Sequence, residues 1–143
     1  MALLTDVLVA SSSEAEAICR DLRHSENWPC WQSRGVDNMV FSDLLRALGA
    51  ETDARILARD DKLIYKENED GPWVFHLPDV IPRTLSTLED DEIPGLAERW
   101  LQGAEAGEGG ARVEDIVLAL QELRNLSKQA LAANKSLLLW MCL

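Results

Sequence analysis

The chain has 143 residues, of which 47% are apolar and 27% charged, the composition of a globular domain and too apolar for intrinsic disorder. Acidic side chains outnumber basic ones 25 to 14, and the formal net charge of −11 argues against direct binding to nucleic acid or to an anionic membrane surface. The odd set Cys19, Cys30 and Cys142 argues against a secreted disulfide framework, and no apolar run is long enough to span a bilayer, so a single cytoplasmic domain over residues 1–143 is expected.

The opening residues lack a basic leader and carry Asp6 inside their apolar run, which does not read as a signal peptide; Leu4 to Val9 reads as a short strand. Ser13 and Glu16 have the spacing of a capping box, and a helix from Glu14 to about Arg23 follows, with Ala15, Ile18, Cys19 and Leu22 on one buried stripe. His24 to Gly35, holding Pro29 between Trp28 and Trp31, reads as a loop with two aromatic anchors. Asp37 is placed to cap a helix reaching Leu48, with Phe41, Leu44, Leu45 and Leu48 on one face and Gly49 ending it. A shorter helix covers residues 52–59.

Lys62–Glu67 and Pro72–Leu77 are rich in β-branched and aromatic residues around the turn chemistry of Asn68-Glu69-Asp70-Gly71, the best hairpin in the chain. Asp79-Val-Ile-Pro and Asp91-Glu-Ile-Pro each pair a capping acid with a proline in the first helical turn. The second of these helices lines up Ile93, Leu96, Ala97, Trp100 and Leu101 before the small and acidic run Gly103 to Gly110, which reads as a mobile loop. The longest helix spans Arg112 to about Asn134, and Leu137 to Leu143 is an apolar run of strand length, expected beside the hairpin. The resulting fold class is α+β, helix-dominated: about five helices packed on a small, mainly antiparallel sheet made of the hairpin and the C-terminal strand.

Chemistry-bearing patterns are sparse. Cys19, His24 and Cys30 hint at metal, but tetrahedral zinc needs four ligands with a tight pair among them, and none is predicted. His24 and His76 are the two imidazoles, and neither lies in a nucleophile motif, so no catalytic residue is assigned. Glu67, Glu69 and Asp70 faintly suggest a calcium loop, but the twelfth position is Pro78, so the segment reads as a turn. No glycine-rich phosphate cradle is present, and no cofactor is expected. Five tryptophans stand out, since tryptophan is enriched at binding hot spots; Trp100 and Trp140 fall on core patterns, which leaves Trp28, Trp31 and Trp73 as candidates for an exposed anchor.

Gly71-Pro-Trp-Val-Phe-His-Leu-Pro-Asp79, with Leu85, Leu88, Glu92, Leu96, Ala97 and Trp100 and the closing Lys135 to Leu143, resembles a group of uncharacterised bacterial proteins of about this length. That resemblance carries no catalytic or binding residue across. Where the group tends to have an acidic pair after the tryptophan helix, this chain has Gln102-Gly-Ala-Glu105.

The reading that follows is a non-enzymatic interaction domain that neutralises or regulates a basic protein partner, in the manner of a toxin immunity protein or another inhibitor. Its partner-binding candidates are Trp28, Trp31, Trp73, Glu67, Glu69, Asp70, Asp90 and Asp91. The alternative is a small enzyme or ligand-binding domain whose site gathers His24, Cys30, His76 and nearby acids in one pocket. An open edge on the C-terminal strand would additionally allow a homodimer.

Overall fold

The computed structural model describes residues 3–108 and 110–143; Met1, Ala2 and, within the 103–110 run, Gly109 lie outside the described residues. The architecture is α+β, with a fully antiparallel five-stranded sheet and eight α-helices among the described residues, more than the five or so expected. The strands are β1 (Leu4–Ala10), β2 (Cys30–Arg34), β3 (Leu63–Lys66), β4 (Trp73–His76) and β5 (Ser136–Cys142), in the spatial order β2-β1-β5-β4-β3.

The two longest strands, β1 and β5, pair at the centre over seven positions, Leu4 opposite Cys142 to Ala10 opposite Ser136. Both read as continuous apolar runs because both faces of the sheet are covered, the pattern of a strand buried on two sides. On one face Val7, Val9, Phe75, Leu77, Leu137, Leu139 and Met141 enter the main core; on the other Leu8, Ala10, Val74 and Leu138 join a smaller cluster. With β5 flanked by β1 and β4, the open edge needed for pairing with a second copy through that strand is taken.

The main core lies under six helices: α3 (Asn38–Ala47), α4 (Glu51–Ala58), α5 (Val80–Leu85), α6 (Ile93–Leu101), α7 (Ala104–Glu108) and α8 (Val113–Ala132). Helix α3 forms as expected, with the Asp37 carboxylate accepting from the Val40 N–H at 2.9 Å and Phe41, Leu44 and Leu45 fully buried. Its inward face meets Trp100 of α6, whose indole N–H donates to the Val40 carbonyl at 2.9 Å. Helix α8 crosses the sheet through Leu120, Leu123, Leu126 and Ala130.

The smaller face is covered by α1 (Ala15–Arg20) and α2 (His24–Asn27), through Ala15, Ile18 and Trp28. Here several expectations are corrected. The Ser–Glu bridge at the start of α1 is Ser11 with Glu14, not Ser13 with Glu16: the Glu14 carboxylate accepts from the Ser11 N–H at 2.9 Å. Helix α1 ends at Arg20 because Asp21 is extended, so Leu22 swings off the stripe and is fully exposed.

The segment read as a loop from His24 to Gly35 contains both α2 and strand β2. Its backbone ladder to β1, Leu8 opposite Cys30 to Leu4 opposite Arg34, and the Thr5–Ser33 hydroxyl pair at 2.6 Å make a strand of residues whose own pattern is weak. Asp79 and Asp91 do not cap through their side chains; Glu89 and Glu92 bracket the start of α6, the Glu92 carboxylate accepting from the Glu89 N–H at 2.9 Å. The expected mobile loop after α6 holds α7, whose Glu105 and Ala106 N–H groups both donate to the buried Asp43 carboxylate at 2.9 Å.

Candidate functional site

The β3–β4 hairpin at one edge of the sheet brings together four of the eight predicted binding residues. Its turn puts Gly71 at φ +91°, and a Cβ there would stand 2.8 Å from Cε3 and Cζ3 of Trp73, so glycine is what lets the indole lie against the turn backbone. Trp73 pairs across the strands with Lys66 on one side and Met141 on the other. It is thereby fixed as one wall of an open cleft of about 340 Å³, with Phe75, Met141 and Leu63 as the apolar lining.

Asn38 and Asp60 form the polar side of this cleft. Asp60 follows the last turn of α4 at φ +61°; its N–H donates to Leu57 O and that of Asp61 to Ile56 O, the pair of bonds that closes a helix with a left-handed residue. The buried Asn38 side chain donates to Leu57 O at 3.3 Å and to Asp60 Oδ1 at 3.1 Å, tying the first residue of α3 to the end of α4. Asp60 Oδ2 has no hydrogen-bond partner among the described residues. The sequence pattern assigns neither Asp60 nor Asn38 a binding role, because their meeting with Trp73 is purely tertiary.

At the turn end of the hairpin, Glu67, Glu69 and Asp70 are exposed. Glu69 holds the Lys66 ammonium at 2.9 Å, and Glu67 accepts from the Tyr65 hydroxyl and lies 3.8 Å from the Arg20 guanidinium. The hydrogen bond to Glu67 pushes the Tyr65 phenol above its usual range, and Glu16, then Tyr65 and Glu67, raise Arg20 further. The hairpin end is therefore an acidic, solvated surface with two of its cations already paired.

The other predicted residues lie elsewhere. Trp31 is half-buried against the main core. Trp28 packs on the smaller cluster and donates its indole N–H to Glu14 at 3.0 Å, in a groove with Pro29 and Lys135. Asp90 pairs with Arg124 at 2.7 Å near the start of α6, and Asp91 is exposed beside it.

The alternative set is not gathered either: none of the described cavities is lined by two of His24, Cys30 and His76. His24 is buried, its Nε2 2.6 Å from Asp6 Oδ2, and its ring lies 4.5 Å from that of Trp140, tilted by 52°. His76 Nε2 lies 3.0 Å from Ser136 Oγ and 3.8 Å from Asp79. Burial, and then Asp6, push the Cys30 thiol up to about 12; burial, Glu67 and Cys142 push Cys19 up to about 11, so both are weak nucleophiles at neutral pH.

Among the described residues no three His, Cys, Asp or Glu side chains converge as a metal site, and no helix is long and apolar enough to cross a membrane. No family model matches the chain, and no curated protein and no solved structure matches it.

Proposed function

We propose that this domain binds a basic protein partner through the β3–β4 end of its sheet, acting in the cytoplasm as an inhibitor or immunity-type protein. The observation that carries this reading is the clustering on one hairpin of three exposed carboxylates, Glu67, Glu69 and Asp70, with the half-buried Trp73, which walls a cleft. Aromatic anchors ringed by polar groups are the usual centre of a protein interface, and the net charge of −11 would steer an oppositely charged partner toward it. The three free cysteines are compatible with a reducing compartment.

Affinity capture from a lysate of the source organism, read by mass spectrometry at low and high salt, tests the reading. A basic protein is expected to be retained at low salt and released at high salt. The triple variant Glu67→Gln, Glu69→Gln, Asp70→Asn should capture it less, with association slowed about tenfold or more and folding unaffected, because exposed ion pairs contribute about 0–1 kcal/mol to stability. Recovery of no specific partner, or equal capture by the variant, would sink the proposal.

A further inference from the structure

Resting on that reading, we infer that the cleft beside Trp73 is the receptor for one cationic side chain of the partner, an arginine, whose guanidinium lies against the indole and reaches Asp60 Oδ2. The cleft has the chemistry such a group requires. Its walls, Trp73, Phe75, Leu63 and Met141, are apolar enough to cover an aliphatic stem, and Trp73 offers the ring that attracts cations most strongly. Its polar side ends in a carboxylate with one oxygen held by Asn38 at 3.1 Å and the other unpartnered among the described residues.

Both walls are preorganised. Trp73 is set by the Gly71 turn and the strand register, and Asp60 by the left-handed closure of α4 and the Asn38 clamp. Little side-chain ordering is therefore left to oppose binding. Lys66 also borders the cleft, but its ammonium is engaged by Glu69 at 2.9 Å.

The identity of residue 60 is informative. Glycine is the residue that closes a helix at positive φ most comfortably, and a non-glycine residue there is uncommon. What aspartate adds at φ +61° is a carboxylate facing the cleft and the Asn38 amide. Around it Asp61, Glu69 and Asp70 stand against Arg59, Lys62 and Lys66, with Lys66 paired to Glu69; Asp60 itself and the net charge of −11 tip the field toward a cation over an anion.

The test uses N-acetyl-arginine amide and its neutral isostere N-acetyl-citrulline amide as probes. Each is titrated into the ¹⁵N-labelled chain while the Trp73 indole resonance, assigned through Trp73→Phe, is followed. The arginine probe is expected to move that resonance with at least tenfold higher affinity than citrulline. Asp60→Asn, which tolerates the left-handed backbone and can still accept from Asn38, should erase the preference. Equal or absent responses to the two probes, or an undiminished arginine preference in Asp60→Asn, would overturn the assignment. A basic partner captured from lysate alongside failed probe titrations would leave the interaction reading standing and remove only the pocket; empty capture with a positive titration would do the reverse.

Discussion

Replacing Asp43 by alanine should show that the segment after α6 owes its order to a residue some sixty positions earlier. Asp43 is 4% exposed, and its Oδ2 accepts from the Glu105 and Ala106 N–H groups, both at 2.9 Å, while Oδ1 accepts from Arg46 at 3.2 Å. Losing a helix cap costs about 0.5–2 kcal/mol. Leaving a buried N–H such as that of Ala106 without a partner costs about 1–3 kcal/mol more. A five-residue helix can fray and let water reach part of what is lost, so the expected destabilisation is about 2–3 kcal/mol.

For a chain of this size that corresponds to a fall in melting temperature of roughly 5–15 °C. Urea denaturation gives the free energy, and hydrogen exchange at Glu105 and Ala106 localises it. Asp43→Asn keeps an acceptor oxygen but loses the charge facing Arg46, and should cost about 1 kcal/mol less than alanine. Gly103→Ala should reproduce the loss of protection by another route, because its Cβ would stand 2.3 Å from Asp43 Cγ and displace the carboxylate. A loss under about 1 kcal/mol in Asp43→Ala, or unchanged exchange at both amides, would refute this account of α7.

Further outcomes can be checked alongside it. The bond from Ser11 N–H, then those from Trp28 and Lys135, hold the Glu14 carboxyl below its ordinary value of 4.5, so its contribution is present above that pH and is lost as pH falls through the lowered value. Glu14→Gln should therefore be the less stable form at neutral pH, with the gap to wild type closing on acidification; a gap constant with pH in thermal melts contradicts the linkage. Native alkylation of Cys30, with its thiol near 12, should run about a thousandfold slower at pH 8 than in a denatured control, read by peptide mapping; comparable rates would show the thiol is not held protonated. Asp6→Leu and His24→Leu should each destabilise, and the double variant by less than their sum, with a coupling of about 1–3 kcal/mol; strict additivity would mean that the buried pair does not act as a unit. Leu123→Ala, at a fully buried position of α8, should cost about 2–5 kcal/mol in urea melts, and a negligible loss would place α8 outside the main core.

The elements legible in the chain are those whose signals lie within a few residues of one another. Asp37 and Gly49 bracket α3, the period-3.6 stripe of α8 leads to Leu120, Leu123, Leu126 and Ala130, and the Asn68–Gly71 turn joins β3 to β4. The errors have local causes too. Leu22 fits the α1 stripe, but the helix ends before reaching it; Asp91 has a cap's composition, while Glu89 has the cap's position.

Length, composition, periodicity and turn chemistry thus determined the α+β class, the hairpin, the apolar C-terminal strand and the helices with strong stripes, because backbone hydrogen bonding and burial patterns of that range are written in adjacent residues. Only the tertiary structure decided the strand order, the recruitment of Cys30–Arg34 as β2, the Asp43 cap of α7, the burial of His24 against Asp6 and Trp140, and the meeting of Trp73 with Asp60. Those features rest on contacts between residues distant along the chain, such as Asp6 with His24, His24 with Trp140 and Asp43 with the Ala106 N–H. No short window encodes them, since a polar residue's local pattern does not reveal which distant donor or aromatic ring will complete it once the core has closed.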